Sequence, residues 1–328
     1  MSKPIIALVC GGFTDEYAIS MKSADLYLKN LSNEKYDIYK LVLDNNGWTA
    51  FDNRNEPVTI NESNFTLKNN GQTLAIDAVV NTIHGTPGED GKLQGYFDVL
   101  GVKYMGCNVL SSSLSFNKGF CNHFLEKQGI LVPNSKLVYE IEDVNPQEMI
   151  DELGLPCFVK PNDAGSSLGV SKVKKMEELI PAIELAFSVG QRVLVESSVQ
   201  GLELTCGVVR KNGIVTPVAV TEIQFEAEFF DYEAKYNSTT TQEITPARID
   251  KETYNACMVL SVDIYKKLGC SGFFRADYIL HEGELYLIEV NTVPGMSSAS
   301  LLPQMFSYAK MPIHELLDEE IAELTNRE

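Results

Sequence analysis

The stretch FFRADYILHEGELYLIEVNTVPGM, 273–296, constrains the fold more than any other part of the chain. Two runs rich in aromatic and β-branched residues flank HEGE, the pattern of a β-hairpin. Arg275 and Asp277 alternate onto one face of the first strand, Glu289 and Asn291 onto one face of the second. Their neighbours Phe273, Phe274, Tyr278, Ile279, Leu287, Ile288 and Val290 are apolar. Unpaired Asp, Glu and Asn in such company would each cost several kcal/mol unless a cation or hydrogen bonds compensate. An oxygen cluster of this kind is what Mg²⁺ selects, with phosphate oxygens completing its octahedron. The plain alternative is the solvent face of an amphipathic hairpin. The metal reading carries a geometric demand. For Asp277 to lie opposite Glu289 the turn must hold an odd number of residues, about three or five; an even turn puts the carboxylates on opposite faces.

The remaining sequence reads as α/β material. PIIALVCGG, 4–12, is a buried parallel strand ending in a Gly turn, followed by a helix from about Thr14 with Asp15 and Glu16 in its first turn. Residues 44–71, rich in Asn and Gly, predict short strands joined by turns. AIDAVVNTI, 75–83, is a second buried strand, and Leu93, Tyr96, Phe97 and Leu100 form one face of a helix. This alternation predicts a doubly wound, Rossmann-like α/β domain over 1–106. A helix is expected around 112–129, then α+β segments to 196, then a β-rich portion over 197–328 with helices near 251–268 and 313–325.

Composition excludes several classes. The 27 Lys and Arg against 45 Asp and Glu leave a net charge of −18 over 328 residues, which disfavours nucleic-acid and membrane-surface partners. No apolar run approaches ~18 residues, and MSKPIIALVC has no basic n-region with a cleavage site, so a cytoplasmic protein is expected. The seven Cys are scattered and never spaced CxxC, as expected of reduced, buried thiols.

Four further segments carry chemistry. In CFVKPNDAGSSLGVSKV, Lys160 ends a strand and a Gly/Ser loop follows, whose N–H groups could surround phosphate; the GxxxxGK[ST] pattern is absent. VLVESSVQGLE places Glu196 at the end of an apolar strand, where one carboxylate could meet a purine, and Glu203 could reach ribose hydroxyls. In DYEAKY, Lys235 could meet phosphate beside Tyr236. In HGTPGEDG, Glu89 and Asp90 read as caps of the following helix, which leaves His84 unexplained. Taken singly, each also reads as an ordinary turn, hairpin or surface loop.

Together and in this order, GGFTDEYAIS, HGTPGEDGKLQG, KPNDAGSSLGVSKV, VESSVQGLE, DYEAKY, RADY and EVNTVPGMSSASLLP resemble the ATP-grasp D-alanine–D-alanine ligases over residues 11–303. The resemblance implies an ATP-grasp fold behind the Rossmann-like domain, with divisions at 1–106, 107–196 and 197–328. It implies ATP and two Mg²⁺, for which Mn²⁺ could substitute, D-alanine as substrate, and a homodimer. By that resemblance Lys118 and Lys160 contact ATP phosphates and Lys235 the transferred phosphoryl group. Glu196 takes the adenine amino group, the Val199 backbone the ring, and Glu203 the ribose. Asp277, Glu289 and Asn291 hold the metals. Arg275 and the Gly295 N–H stabilise a tetrahedral oxyanion, and Glu16 binds the ammonium of the first D-alanine. Ser300 and the Leu301 backbone hold the second carboxylate, and His84 and Glu89 also touch substrate. Glu16, Ser166 and Tyr236 form a trio that links the closing loops.

Three positions depart from the family pattern: Asn117 for Asp, Ser297 for Thr, and Ser197 for Lys or Glu. None is a metal ligand. D-serine or D-lactate as second substrate is the near alternative, and Tyr236 favours an amine over lactate. An inactive nucleotide-binding regulator would have lost one of Lys160, Arg275, Asp277, Glu289 and Asn291, and all are present.

Overall fold

A computed structural model describes residues 3–165, 168–224 and 241–325. The N-terminal sheet has seven strands in the order β6-β5-β4-β3-β2-β1-β7. At its centre β1 (Ile5–Gly11) runs parallel to both β2 (Asp37–Asp44) and β7 (Ala78–Asn81). The Asn- and Gly-rich stretch supplies the antiparallel extension: β3 (Gly47–Phe51), β4 (Pro57–Asn61), β5 (Thr66–Asn69) and β6 (Gln72–Ala75).

Because β1 alternates, it feeds two cores. Ile6, Leu8 and Cys10 join Ala24 and Tyr27 of α1 (Tyr17–Asn30). Ala7 and Val9 join Leu93 and Phe97 of α2 (Lys92–Leu100) on the opposite face, so helices cover both sides of the sheet as expected. The helix after β1 begins later than the sequence suggests. Thr14 donates from its hydroxyl to the His84 carbonyl at 3.3 Å and accepts from the Glu16 N–H at 3.4 Å, which pins Thr14 and Asp15 in a turn outside the helix.

The single helix expected around 112–129 is two, α3 (Val109–Phe116) and α4 (Lys118–Lys127). Asn117 breaks them: its backbone is extended and its side chain accepts from the Phe120 N–H, competing for a helix donor as Asn does at N-caps. That break puts Lys118 at the first position of α4.

A second sheet has the order β10-β9-β11-β8, from β8 (Ser135–Val138), β9 (Cys157–Pro161), β10 (Ser171–Val173) and β11 (Val193–Ser197). Helices α5 (Pro146–Leu153) and α6 (Leu179–Phe187) cover it. The third sheet, β14-β13-β12-β15-β16, uses β12 (Leu202–Lys211), β13 (Ile214–Gln224), β14 (Gln242–Ile244), β15 (Phe274–His281) and β16 (Glu284–Asn291). Residues of α3, α4 and α7 (Lys251–Lys267) fill its inner face. Helix α8 (Leu301–Ala309) packs on β13 and α9 (Ile313–Thr325) on α1 and β7, so one core joins the two ends of the chain. All seven Cys are buried and free.

Phe97 anchors the N-terminal core, with ring centroids 5.0 Å from Phe65, 5.6 Å from Tyr96 and 5.8 Å from Tyr104. Phe97→Ala is expected to cost about 3–5 kcal/mol through lost transfer energy and cavity formation. Urea denaturation checks this; a loss under about 1 kcal/mol would show that the cluster collapses around the gap.

Candidate functional site

The second and third sheets face each other across a cavity of about 190 Å³. Its wall brings together nine of the residues singled out in the sequence: Lys118, Lys160, Glu196, Val199, Glu203, Arg275, Asp277, Glu289 and Leu301. Lys160 and Glu196 come from adjacent strands, β9 and β11, where they are diagonal neighbours on one face. They form a buried ion pair, Nζ to Oε1 at 2.5 Å, while Glu196 Oε2 is buried without a hydrogen-bond partner. Lys118 Nζ donates to the Ala164 carbonyl at 2.7 Å and lies 3.6 Å from Glu289 Oε2. Asn162 fixes the start of α4 by accepting the Lys118 N–H at its carbonyl and the Gly119 N–H at Oδ1.

The hairpin corrects one expectation. Its turn holds two residues, Glu282 and Gly283, both with positive φ, an even count. Yet Asp277 does lie opposite Glu289. The register that pairs Tyr278 with Leu287 shifts by one before it reaches Asp277, leaving Ile288 as the extra residue of a β-bulge. An even turn therefore does not separate the carboxylates. The bulge also turns two consecutive side chains, Ile288 and Glu289, toward the cavity.

Asp277 is the hub of the acidic end. Arg275 donates to it twice, Nε to Oδ1 at 2.8 Å and an Nη to Oδ2 at 2.7 Å. Asn291 Nδ2 donates at 3.0 Å, and the Thr205 hydroxyl at 2.5 Å from the opposite strand β12. Burial works against the Arg275 charge, but Asp277, then Glu289 and Glu89, more than offset it and hold the guanidinium above its ordinary pKa. Among the described residues no group of three or more His, Cys, Asp or Glu side chains is set to hold a metal; Asp277 and Glu289 supply two carboxylates, and Asn291 the third oxygen.

Glu16, His84, Glu89, Gly295 and Ser300 are not part of the cavity wall. Glu16 sits beside the 164–165 loop: a Cβ on Gly165 would come within 2.8 Å of its Oε2. Ser300 precedes α8, but its Oγ accepts from the Ser297 N–H at 3.0 Å and does not cap the helix. Gly295 lies next to it, its Cβ position 3.0 Å from Ser300 Oγ. His84 and Glu89 do not line the cavity. Glu89 does not cap α2 as expected, because Gly91 intervenes with φ of 87° and Asp90 accepts the Lys92 N–H instead. Glu89 turns inward and accepts N–H groups from Gly85 at 2.7 Å and Val293 at 3.2 Å. Ser166, Lys235 and Tyr236 lie outside the described residues.

The sequence reading named Ile279 and Ile288 only as apolar neighbours of the cluster, and it missed Thr205, the apolar wall Phe158, and Ser23. Only Ser23 left a readable signal: with Ser20 it places hydroxyls at i, i+3 on the buried face of α1.

Two sheets closed on one cleft that holds paired lysines and an Arg–Asp–Glu–Asn cluster define an ATP-grasp architecture. Residues 5–107 match the family model described as D-ala D-ala ligase N-terminus, and residues 124–322 the D-ala D-ala ligase C-terminus. A D-alanine–D-alanine ligase of Parabacteroides distasonis is 42% identical over 327 residues, 99% of each chain. The structure of VanG D-Ala:D-Ser ligase from Enterococcus faecalis is 34% identical with a TM-score of 0.87, covering 98% of this chain and 100% of that one. That of the Bacillus anthracis D-alanine–D-alanine ligase complexed with ATP is 30% identical with a TM-score of 0.78, covering 99% and 98%. The chain belongs to the D-alanine–D-alanine ligase family.

Burial first, and the Glu16 charge second, push the Glu89 carboxyl from 4.5 up to about 8. Between these values the unfolded chain has released a proton that the folded chain retains, so Glu89 draws stability down as pH rises through that window. Glu89→Gln is expected to flatten the fall in Tm between about pH 5 and pH 8. Parallel Tm–pH curves for the two proteins would contradict the assignment.

Proposed function

We propose that the protein joins two D-alanines in the cytoplasm, at the expense of ATP, to give D-alanyl-D-alanine for peptidoglycan precursors. The observation that carries this reading is a cavity lined by Glu196, whose Oε2 is buried and unpartnered, by Lys118 and Lys160, and by Arg275, Asp277 and Glu289, with Asn291 bonded to Asp277.

The unpartnered Glu196 Oε2 suits the adenine amino group, between apolar walls from Phe158, Ile279 and Ile288. Val199 backbone would meet the ring and Glu203 the ribose. Lys118 and Lys160 would face the phosphates, with Ala164 and Gly165 beside them and, in the proposal, Lys235. Asp277, Glu289 and Asn291 provide two carboxylates and an amide oxygen, too few for an octahedron, as suits Mg²⁺ that shares phosphate oxygens. Asp277, Glu289 and Asn291 would hold the Mg²⁺, two ions in this proposal, which would supply charge neutralisation on the phosphates.

Glu16 holds the ammonium of the first D-alanine beside Gly165. The γ-phosphoryl group passes to a carboxylate oxygen of that D-alanine, and ADP leaves. The second D-alanine, anchored by its carboxylate at Ser300 and the N-terminus of α8, attacks the carbonyl carbon through its deprotonated amine. Arg275 and the Gly295 N–H stabilise the oxyanion. Phosphate departs with the carboxylate oxygen, and the peptide bond remains. By the family resemblance Ser166 and Tyr236, outside the described residues, would act with Glu16 in closing the site against water. The division at 1–106, 107–196 and 197–328, and a homodimeric assembly, belong to the same proposal.

Phosphate release from ATP and Mg²⁺ is expected with D-alanine and absent with L-alanine; equal release with both would overturn the reading. Because a D-Ala:D-Ser ligase is among the similar structures, mass detection of products with D-serine and D-lactate in competition tests the second substrate, with D-alanyl-D-alanine expected to dominate. Arg275→Lys keeps a charge beside Asp277 but loses the forked donor, and kcat is expected to fall about 100-fold or more.

A further inference from the structure

Pro294 and Gly295 stand between two backbone N–H groups that both reach across to the N-terminal part of the chain. Val293 N–H donates to Glu89 Oε1 at 3.2 Å, and Met296 N–H donates to Ser23 Oγ at 3.1 Å. Since Ser23 accepts there, its own hydrogen is left to donate, and His84 Nε2 lies 3.1 Å away. That assignment needs Nε2 bare, hence a neutral ring with its proton on Nδ1. Burial lowers the His84 pKa, against the opposing pull of Glu16 and of a hydrogen bond to the Val293 backbone, which agrees with a neutral ring. His84 and Ser23 are both buried, and Met296 belongs to the core shared by α1 and α8. Pro294 has no N–H. Gly295 therefore offers the one N–H between two clamped amides.

We infer that Ser23, His84 and Glu89 are positioning residues that clamp Val293 and Met296, fix the Gly295 N–H over the reacting carbonyl, and do not touch substrate. This rests on the reading of Gly295 as an oxyanion donor and replaces the expectation that His84 and Glu89 bind substrate. The clamp makes the donor's placement depend on contact between the two ends of the chain. An oxyanion donor acts through preorganisation, so slackening it should slow attack by the second amine more than it slows phosphoryl transfer. The acyl phosphate would then have longer to meet water.

Ser23→Ala and Glu89→Leu, which remove the acceptors of the Met296 and Val293 N–H groups, test this from opposite ends of the segment. The ratio of phosphate released to dipeptide formed is read beside kcat, the D-alanine KM, and ATP affinity by calorimetry. Wild type should release phosphate and dipeptide in equal amounts; if it makes no dipeptide, the ligase reading falls and this inference with it. With coupling established in wild type, both variants are expected to lose roughly 10-fold in dipeptide kcat. They should keep the D-alanine KM within about 2-fold and the ATP affinity unchanged, and release excess phosphate. A raised KM with unchanged kcat would place these side chains on the substrate and overturn the inference. So would wild-type behaviour, a proportional fall of both products, or loss of ATP binding in both variants, which would make the network a structural prop.

Discussion

A single residue without a cross-strand partner, Ile288, decides which face of β16 the Glu289 carboxylate takes. The two-residue turn at Glu282–Gly283 sets a register in which Tyr278 pairs with Leu287 and Ile279 with Tyr286. Continued unbroken, it would set Glu289 opposite Ala276, on the face that packs against α3, α4 and α7. A carboxylate there would be buried without a cation. The bulge moves it opposite Asp277 and leaves Ile288 facing the cavity as well. An apolar wall and an anionic group thus become sequence neighbours on one side of one strand.

The acidic end is held by the protein's own cations. Arg275 binds Asp277 in a fork, Lys118 approaches Glu289, and Lys160 pairs with Glu196. Buried pairs of this sort add little net stability, because desolvation consumes most of the attraction. Their value is placement: each lysine and the arginine is already aimed into the cavity. The net charge of −18 is a global quantity, and these local pairings show how a strongly acidic chain can still present cations to phosphate. Long-range steering of a nucleotide should contribute little.

How much of this was legible in the sequence varied with the range of the interaction. The alternation of Arg275, Asp277, Glu289 and Asn291 among apolar neighbours is a local, period-two signal, and it located the cluster. The register did not follow from turn length, because a bulge forms through pairing in three dimensions that a linear count does not register. Thr205 bonds Asp277 from a strand seventy-two positions away. The break at Asn117 was hidden by continuous helical periodicity, although Asn is a strong N-cap. Glu89 read as a cap because acids favour helix starts, whereas the folded chain spends it on the Val293 amide at the other end of the sequence. The parallel strands, the short strands joined by turns over 44–71 and the buried free thiols were all readable, since each rests on composition and local turn chemistry.

In the proposed reaction the γ-phosphoryl group of ATP moves onto the carboxylate of D-alanine before the peptide bond forms. Turnover of D-alanine labelled with oxygen-18 in its carboxylate, with mass analysis of the released phosphate, tests it most directly. The expected result is label from D-alanine in the phosphate, carried there when the acyl phosphate breaks at its carbonyl carbon. Unlabelled phosphate alongside dipeptide formation would contradict the account.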